Sequence, residues 1–205
     1  LSKLYNACCS GLLSPAKPLL FSDYIIRSLQ YEQSEEYQDT LNYWKKEYEG
    51  QIPVFEIPPD FPRPALRTYK SRRDDFILAA DIAASVKKTG ARYGCSFVTT
   101  LMSVFELLLY KYTGNSDIVI GLPTAGQGAA EMYDLIGHCV NFLPLRSNPD
   151  PNLTFAEYLK KRKSKTLKDY ENQQFTLGTL LKELKIERDP SRIPLSPVSF
   201  NIDIG

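Results

Sequence analysis

Apolar residues near the start of the chain recur at the spacing of helices. Residues 1 to 10 predict a helix, and residues 21 to 49 predict two helical stretches separated by a break near "YEQSEE". Ser22 or Asp23 is expected to cap the first of these stretches, because short polar side chains accept hydrogen bonds from the first turn. The second stretch has an apolar face at helical spacing, formed by Leu41, Trp44 and Tyr48.

A proline-rich stretch separates these helices from the rest of the chain. The segment "QIPVFEIPPDFPRPALRTYK" contains five prolines, which neither continue a helix nor donate to a sheet. We therefore predict an extended connector and a boundary between two lobes. Residues 68 to 78 then predict a strand, and the charged run "KSRRDD" indicates that it lies at the edge of a sheet.

Two helices are predicted after the connector. The first covers "AADIAASVKKTGARYG", with Ile82, Val86 and Ala91 on its apolar side, and Ser96 is expected to cap the second. The second helix is expected to be central, because its apolar stripe is wide. That stripe comprises Leu101, Met102, Phe105, Leu108, Leu109 and Tyr112.

The remainder of the chain alternates between extended and helical patterns. "SDIVIGLP" predicts a short buried strand, "GHCVNFLPLRSN" an extended stretch and "PVSFNIDIG" a final strand. Residues 154 to 170 and 176 to 184 predict amphipathic helices between them. Strands that alternate with helices are typical of an α/β fold, and we predict a mixed sheet flanked by helices.

The charge balance restricts the partners of the protein. The 205 residues include 25 basic and 24 acidic side chains, a net charge of +1. Nucleic acids and anionic membranes usually require a basic surface, so neither is an expected partner. The apolar run "FVTTLMSVFELLLY" contains Glu106 and is too short to span a bilayer. The first residues lack the apolar region of a signal peptide, and we expect a cytoplasmic protein.

The candidate metal ligands do not form a recognisable set. The cysteines at positions 8, 9, 95 and 139 include no C-x-x-C pair, and His138 is the only histidine. Structural zinc sites need four well-spaced cysteine or histidine ligands. We expect no metal, and we expect free thiols in a reducing compartment.

One glycine-rich turn resembles part of a nucleotide-binding loop. "GLPTAGQG" places Gly121 and Gly126 at the spacing of a P-loop, but Gln127 and Gly128 stand where that loop needs Lys and Ser or Thr. Pro123 also removes one backbone N–H from the loop. We interpret the segment as a tight turn after a strand, and we expect no directly bound cofactor.

Seven stretches, in the same order along the chain, resemble motifs of the condensation domains of nonribosomal peptide synthetases. They are "LFSDYIIRSLQ", "LNYWKKEYEG", "IPPDFPRPALRTYKSRR", "IVIGLPTAGQG", "LIGHCVNFLPLR", "DYENQQFTLGTLLKEL" and "RDPSRIPLSPVSFNID". The resemblance implies a partial condensation domain with a lobe like chloramphenicol acetyltransferase. Residues 1–65 would then hold the end of the N-terminal lobe and the connector, and residues 66–205 an incomplete C-terminal lobe.

The resemblance also implies a reaction. Condensation domains join an acyl or peptidyl thioester to an aminoacyl thioester, each held by phosphopantetheine on a donor or acceptor peptidyl carrier protein. An adenylation domain is expected next to such a domain, and two of the stretches resemble domains from hybrid polyketide–peptide systems. A carrier-docking platform without catalysis and a cyclising or epimerising relative of the same fold are the alternatives.

The family's His-His-x-x-x-Asp-Gly motif is absent from this sequence, and the resemblance places it ahead of Leu1. We therefore expect no catalytic residue in the chain, and we expect that the chain alone does not form amide bonds. The resemblance implies that a tunnel between the lobes is lined by His138, Asn141, Arg146 and Asn201, with His138 as a lining or packing residue and not a base. Asn141 is equally consistent with orienting a substrate and with anchoring a loop. Arg146 could pair with a carboxylate across the lobes but is expected at the surface, and Asn201 could equally be an ordinary strand residue.

Two positions depart from the family pattern. Gln127 stands where the family usually has Arg or Asn, and Tyr170 replaces the usual His of its motif. The first substitution argues against a role that depends on charge at that position. The second leaves packing as the expected role of its helix.

Overall fold

A computed structural model describes residues 2–11 and 19–203. The described helices are α1 (Ser2–Cys9), α2 (Phe21–Tyr31), α3 (Glu35–Glu47), α4 (Ala80–Arg92), α5 (Phe97–Thr113), α6 (Gly126–Ala129), α7 (Phe155–Glu171) and α8 (Leu177–Glu183). The strands are β1 (Ile118–Ala125), β2 (Val140–Ser147) and β3 (Val198–Ser199).

Local capping explains where several helices begin. The side chains of Ser34, Ser96 and Thr154 accept hydrogen bonds from the first turns of α3, α5 and α7, and a Glu157 side chain completes a capping box on α7. The predicted break between α2 and α3 is confirmed. The predicted cap of α2 is wrong: the helix begins at Phe21, so Ser22 and Asp23 lie inside its first turn, and its N-cap is Leu20.

The sheet is mixed, as the alternating pattern predicts. Its strand order is β2–β1–β3. Strand β1 pairs antiparallel with β2, from Ile118 opposite Ser147 to Ala125 opposite Val140, and parallel with β3. Helix α7 packs against α5 and β2, and α8 packs against α3 and β2. The predicted α/β fold with a mixed sheet flanked by helices is confirmed.

Three clusters of buried apolar residues form the core of the described part of the chain. The larger apolar cluster joins α3, α5, both long strands and α8, and contains Trp44, Tyr48, Met102, Leu143 and Leu180. A second surrounds Ile118 and Ile120 of β1, and a third contains Met132, Leu135 and Cys139. Trp44 and Tyr48 are each only 1% exposed, so the predicted apolar face of α3 belongs to the same core as the sheet. The lobe boundary at residue 65 stays a prediction.

The strand predicted over residues 68 to 78 is wrong. Those residues have no strand pairing, and Phe76 and Ile77 are 91% and 100% exposed. Arg72 and Arg73 form ion pairs with Asp74 and Asp75 two positions along. A β-rich sequence becomes a strand only when another strand meets its backbone N–H and C=O groups. No described strand lies beside this segment.

The apolar stripe of α5 only partly coincides with its buried face. Met102 and Leu109 are buried, but Leu108 and Tyr112 are 59% and 67% exposed. The interior side instead includes Glu106, which is fully buried. A charged side chain is found in the interior only when it is paired, and the pair of Glu106 lies on α7.

The last predicted strand is shorter than expected. Only Val198–Ser199 pairs with β1, and residues 204–205 lie outside the described part of the chain. No single described helix is both long and apolar enough to cross a membrane. Helices α4 and α5 reach that length and composition only together, and they meet at a bend of 105°.

Candidate active site

Four segments that are far apart in the sequence enclose one cavity of about 610 Å³. Helix α2 and the start of α3 supply one wall. The turn after β1 and the start of β2 supply another, and residues 173–178, which run from the loop after α7 into the first turn of α8, close a third side. Helix α2 contributes Tyr24, Arg27, Ser28 and Tyr31 to this lining.

Two glycines let these segments approach each other closely. A Cβ on Gly137 would meet the Phe21 ring of α2 at 2.5 Å, and one on Gly126 would meet the Tyr24 hydroxyl oxygen at 2.7 Å. Gly126 N–H also donates to the carbonyl oxygen of Cys139 over 2.7 Å. A side chain at either glycine would require a neighbouring group to shift, namely the Phe21 ring at Gly137 and the Cys139 carbonyl oxygen or the Tyr24 hydroxyl at Gly126.

Asn141 anchors the floor of the cavity. Its Nδ2 donates to the carbonyl oxygens of Gln173, over 2.9 Å, and Phe175. Its Oδ1 accepts the backbone N–H of Phe142 over 2.8 Å. The amide therefore ties the start of β2 to the loop between α7 and α8. Both amide hydrogens and one carbonyl lone pair are engaged in these bonds.

His138 lines the same cavity but is exposed. Within residues 2–11 and 19–203, its imidazole makes no hydrogen bond and no ion pair. A general base is normally oriented by a second group, and no such group holds this side chain. The position of His138 is that of a lining residue.

Arg146 and Asn201 do not line this cavity. Arg146 is only 18% exposed and makes a bidentate ion pair with Asp117, with N–O distances of 2.8 and 2.7 Å. Its Nη1 also donates to the carbonyl oxygen of Glu47 over 2.7 Å. Asn201 is exposed and lies 3.3 Å from the Asp203 carboxylate. A tunnel role for either residue stays a prediction.

Three titratable groups that line the cavity have raised pKa values. Burial raises the pKa of the Cys139 thiol, so it is not the thiolate that nucleophilic catalysis needs. Burial also raises the pKa of Tyr24 and of Tyr37. These groups can donate hydrogen bonds to a carbonyl oxygen, and they are poor proton acceptors.

A buried ionic cluster lies outside the cavity and was not predicted from the sequence. Arg162 Nε lies 2.8 Å from Glu106 Oε1, and Arg162 Nη1 lies 3.7 Å from Asp169 Oδ2. Tyr158 donates to Glu106, and Tyr43 donates to Asp169, each over 2.7 Å. The available signals were a Glu inside the apolar stripe of α5 and two charged residues on the same side of α7.

The cluster also fixes α3 against α7. Lys165 lies 2.8 Å from Glu47 and 2.6 Å from Asp169, so it bridges the two helices. Beyond it, Trp44 Nε1 donates to the carbonyl oxygen of Asn172 over 2.7 Å. Asn172 immediately precedes the loop that receives Asn141, and the contacts of α3 therefore help to position the cavity floor.

Tyr170 and Gln127 occupy different environments. Tyr170 is half-buried and packs against the larger apolar cluster, which agrees with the packing role expected of it. Gln127 lies in the short helix α6, where its backbone carbonyl accepts the N–H of Met132 over 2.8 Å. Neither side chain lines the cavity.

Comparison with known proteins identifies the family of this chain. A family model described as "Condensation domain" matches residues 1–204. Bacitracin synthase 2 of Bacillus licheniformis is 35% identical over 202 residues, which cover 98% of this chain and 8% of that protein. Surfactin synthase subunit 1 of Bacillus subtilis (strain 168) is 33% identical over 202 residues, which cover 98% of this chain and 6% of that protein.

Solved structures agree on the fold. The X-domain from teicoplanin biosynthesis superposes with a TM-score of 0.81 at 21% identity, over 95% of this chain and 45% of that one. The condensation domain of the monacolin K polyketide synthase gives 0.74 at 21% identity, over 94% and 47%. At these identities the likeness concerns the fold alone. The family match nevertheless covers almost the whole sequence, and the chain belongs to the condensation domain family.

Proposed function

We propose that this chain is part of a condensation domain that forms an amide bond between two thioester-linked substrates in nonribosomal or hybrid polyketide–peptide synthesis. The observation that carries the proposal is the convergence of four resembling stretches on one cavity. Helix α2, the turn after β1, the start of β2 and residues 173–178 are separate in sequence, and all four line this cavity.

The reaction proposed here needs little covalent chemistry from the protein. The amine nitrogen of the acceptor attacks the carbonyl carbon of the donor thioester, and a C–N bond forms. The C–S bond breaks, and the donor thiol leaves with the proton that the amine gives up. Catalysis of such a step depends on holding the two reactants in line and excluding water.

The cavity residues fit that positioning role. Asn141 holds the floor loop in place rather than reacting, because its amide is already bound to three backbone groups. The neutral hydroxyls of Tyr24 and Tyr37 offer hydrogen-bond donors without a competing negative charge. His138 contributes surface to the cavity, and we do not assign it the role of the base.

The partners follow from the proposed reaction. Donor and acceptor peptidyl carrier proteins would present the substrates on phosphopantetheine, and an adenylation domain would load the acceptor. The curated relatives named above are synthases, which favours amide formation over a platform that only docks carriers. These partners work in the cytoplasm, which is where we place the protein.

The test is a condensation assay with the complete condensation domain of which we propose this chain to be a part, and with both carrier proteins loaded. We expect Asn141→Ala to lower the turnover number by about tenfold or more, because the floor loop loses its anchor and the reactants lose alignment. Asn152→Ala is the matched control, since Asn152 is an exposed amide that bonds only to Asp150 in a turn.

Two results would contradict the proposal. One is an absence of amide product from the unsubstituted protein with carriers that are shown to be loaded. The other is equal turnover by the Asn141→Ala and Asn152→Ala variants, which would show that the cavity floor has no part in the reaction.

A further inference from the structure

A second cavity lies between α7 and the C-terminal end of β2, and it is basic. Its volume is about 400 Å³. The charged side chains that line it are all cations, namely Arg146, Lys161, Arg162, Lys165 and Lys168. The remaining lining groups are two serines, an asparagine and a tyrosine, all of which can form hydrogen bonds.

Arg162 is the most deeply buried cation in the lining of this cavity. Its side chain is only 2% exposed, and its position is set by Glu106 on one side and Asp169 on the other. All three nitrogens of its guanidinium are buried, and none of them makes a hydrogen bond of regular geometry with a described residue, although Nε lies 2.8 Å from Glu106 Oε1. The guanidinium therefore contributes positive charge to the wall of the cavity.

Two lysines supply charge that the protein does not neutralise. Lys161 and Lys168 are exposed and form no ion pair with any described carboxylate. They are seven residues apart on α7, two helical turns, and therefore share one face of the helix. The other three cations are partly neutralised, since Arg146 pairs with Asp117 and Lys165 with Glu47 and Asp169.

The carboxylates lie behind the cations and not in the cavity. Asp117, Glu47, Glu106 and Asp169 are absent from the lining, although each pairs with a cation that is present in it. A ligand that enters this cavity therefore meets five positive groups and no negative one. The charge that remains unpaired is that of Lys161 and Lys168.

We propose that this cavity binds an oxyanion of the phosphate type. A tetrahedral oxyanion accepts several charge-assisted hydrogen bonds at once, here from the flexible ammonium groups of Lys161 and Lys168, and the other cations of the wall add positive potential. The same chemistry fits free phosphate and the phosphodiester at the protein end of a phosphopantetheine arm.

The site is distinct from the cavity around Asn141. Both cavities use strand β2, but the first is lined by its start and the second by its end. Asn141 and Ser147 are separated along the strand by roughly 20 Å, at about 3.3 Å per residue. The proposal does not depend on the condensation reaction, because it rests only on the residues of the second cavity.

The test is a calorimetric titration of the intact protein with inorganic phosphate at low ionic strength. A titration with chloride controls for ionic strength. We expect saturable binding, which Lys161→Ala/Lys168→Ala weakens by about tenfold or more. Lys160→Ala/Lys163→Ala is the matched control, since it removes the same charge from the same helix outside the cavity. It should change the affinity by less than about twofold.

A parallel titration with 4′-phosphopantetheine separates the two sources of the anion. Tighter binding than that of phosphate, lost in Lys161→Ala/Lys168→Ala, would assign the site to the arm of a carrier protein. Equal affinity would assign it to a free phosphate-type anion. The proposal is overturned by the absence of saturable binding, or by equal weakening in the two double variants.

Discussion

The buried cluster around Arg162 and the cavity around Asn141 are both polar, but they hold their polar groups in opposite ways. In the cluster, side chains pair with side chains, and Glu106 and Asp169 are completely buried. In the cavity, Asn141 binds only backbone groups, and His138 faces solvent. The first arrangement fastens helices together, whereas the second anchors a loop at the edge of an open cavity.

This difference predicts where substitutions act. Removing one member of a buried ionic group leaves the others charged and unpaired in a medium of low dielectric constant, which costs stability. Removing a cavity residue leaves groups that water can still reach, so most of the effect should appear in activity. Four substitutions test the contrast, in order of decreasing expected effect.

Arg162→Met should have the largest effect on stability. It leaves Glu106 and Asp169 buried without their shared cation, and we expect the free energy of unfolding to fall by about 3–5 kcal/mol. Urea denaturation followed by circular dichroism measures this change. Lys160→Met, an exposed cation on the same helix, should stay within about 0.5 kcal/mol of the unsubstituted protein. Similar losses of unfolding free energy in Arg162→Met and Lys160→Met would show that the buried ionic cluster is no more important for stability than an exposed cation.

Asn141→Ala should destabilise the protein less. The substitution strips the backbone groups of Phe142, Gln173 and Phe175 of their partner. Because water can reach these groups from the cavity, we expect a cost of about 0.5–1.5 kcal/mol. Asn141→Asp keeps the acceptor for Phe142 N–H but aims an oxygen at two carbonyl oxygens. It should therefore be no more stable than Asn141→Ala. An Asp variant as stable as the unsubstituted protein would show that the two donated bonds contribute nothing.

Glu106→Gln should change how stability depends on pH. Burial raises the pKa of Glu106, although Arg162 and Tyr158 act in the opposite direction. The unfolded chain therefore loses this proton first as the pH rises, at the ordinary value of 4.5. Stability from the protonated carboxyl is present below that value and is lost as the pH rises through the folded pKa.

The measurement for Glu106 is the free energy of unfolding from pH 4 to pH 8. A carboxyl group with a raised pKa titrates in roughly this range. As the pH increases, the Glu106→Gln variant should become more stable relative to the unsubstituted protein, as measured by the free energy of unfolding. A difference that is constant with pH, or that moves the other way, would mean that Arg162 outweighs burial and keeps Glu106 ionised.

His138→Ala should have the smallest effect. The imidazole is exposed and unanchored, and we expect a change in unfolding free energy within about 0.5 kcal/mol and little loss of turnover by the intact protein. Stability and condensation rate are measured on the same preparation. A folded variant that has lost all turnover would show that the base lies in this chain after all.

Local patterns were sufficient for most of the secondary structure. Helical spacing located α3, α5 and α7, and Ser96 and Thr154 begin their helices through capping contacts that depend on only a few neighbouring residues. Apolar runs located β1 and β2. The order of seven motif-like stretches also indicated the condensation family, to which the chain belongs.

Long-range contacts decided what local patterns could not. Residues 68–78 have the composition of a strand, but no described strand meets them, so they remain extended and exposed. Glu106 interrupts an apolar stripe, and nothing near it in sequence shows that Arg162, on another helix, pairs with it. Asn141 was equally consistent with binding a substrate and with anchoring a loop until Gln173 and Phe175 were seen beside it.

The sequence by itself determined the longer helices and the two long strands, because capping and periodicity act between residues a few positions apart. The short helix α6 was interpreted only as a turn. It also determined the family, through the order of its motifs. Only the tertiary structure decided which side chains share a cavity and which charges are buried together. Those properties depend on groups that are distant in the chain, and their energies arise only when folding removes the water between them.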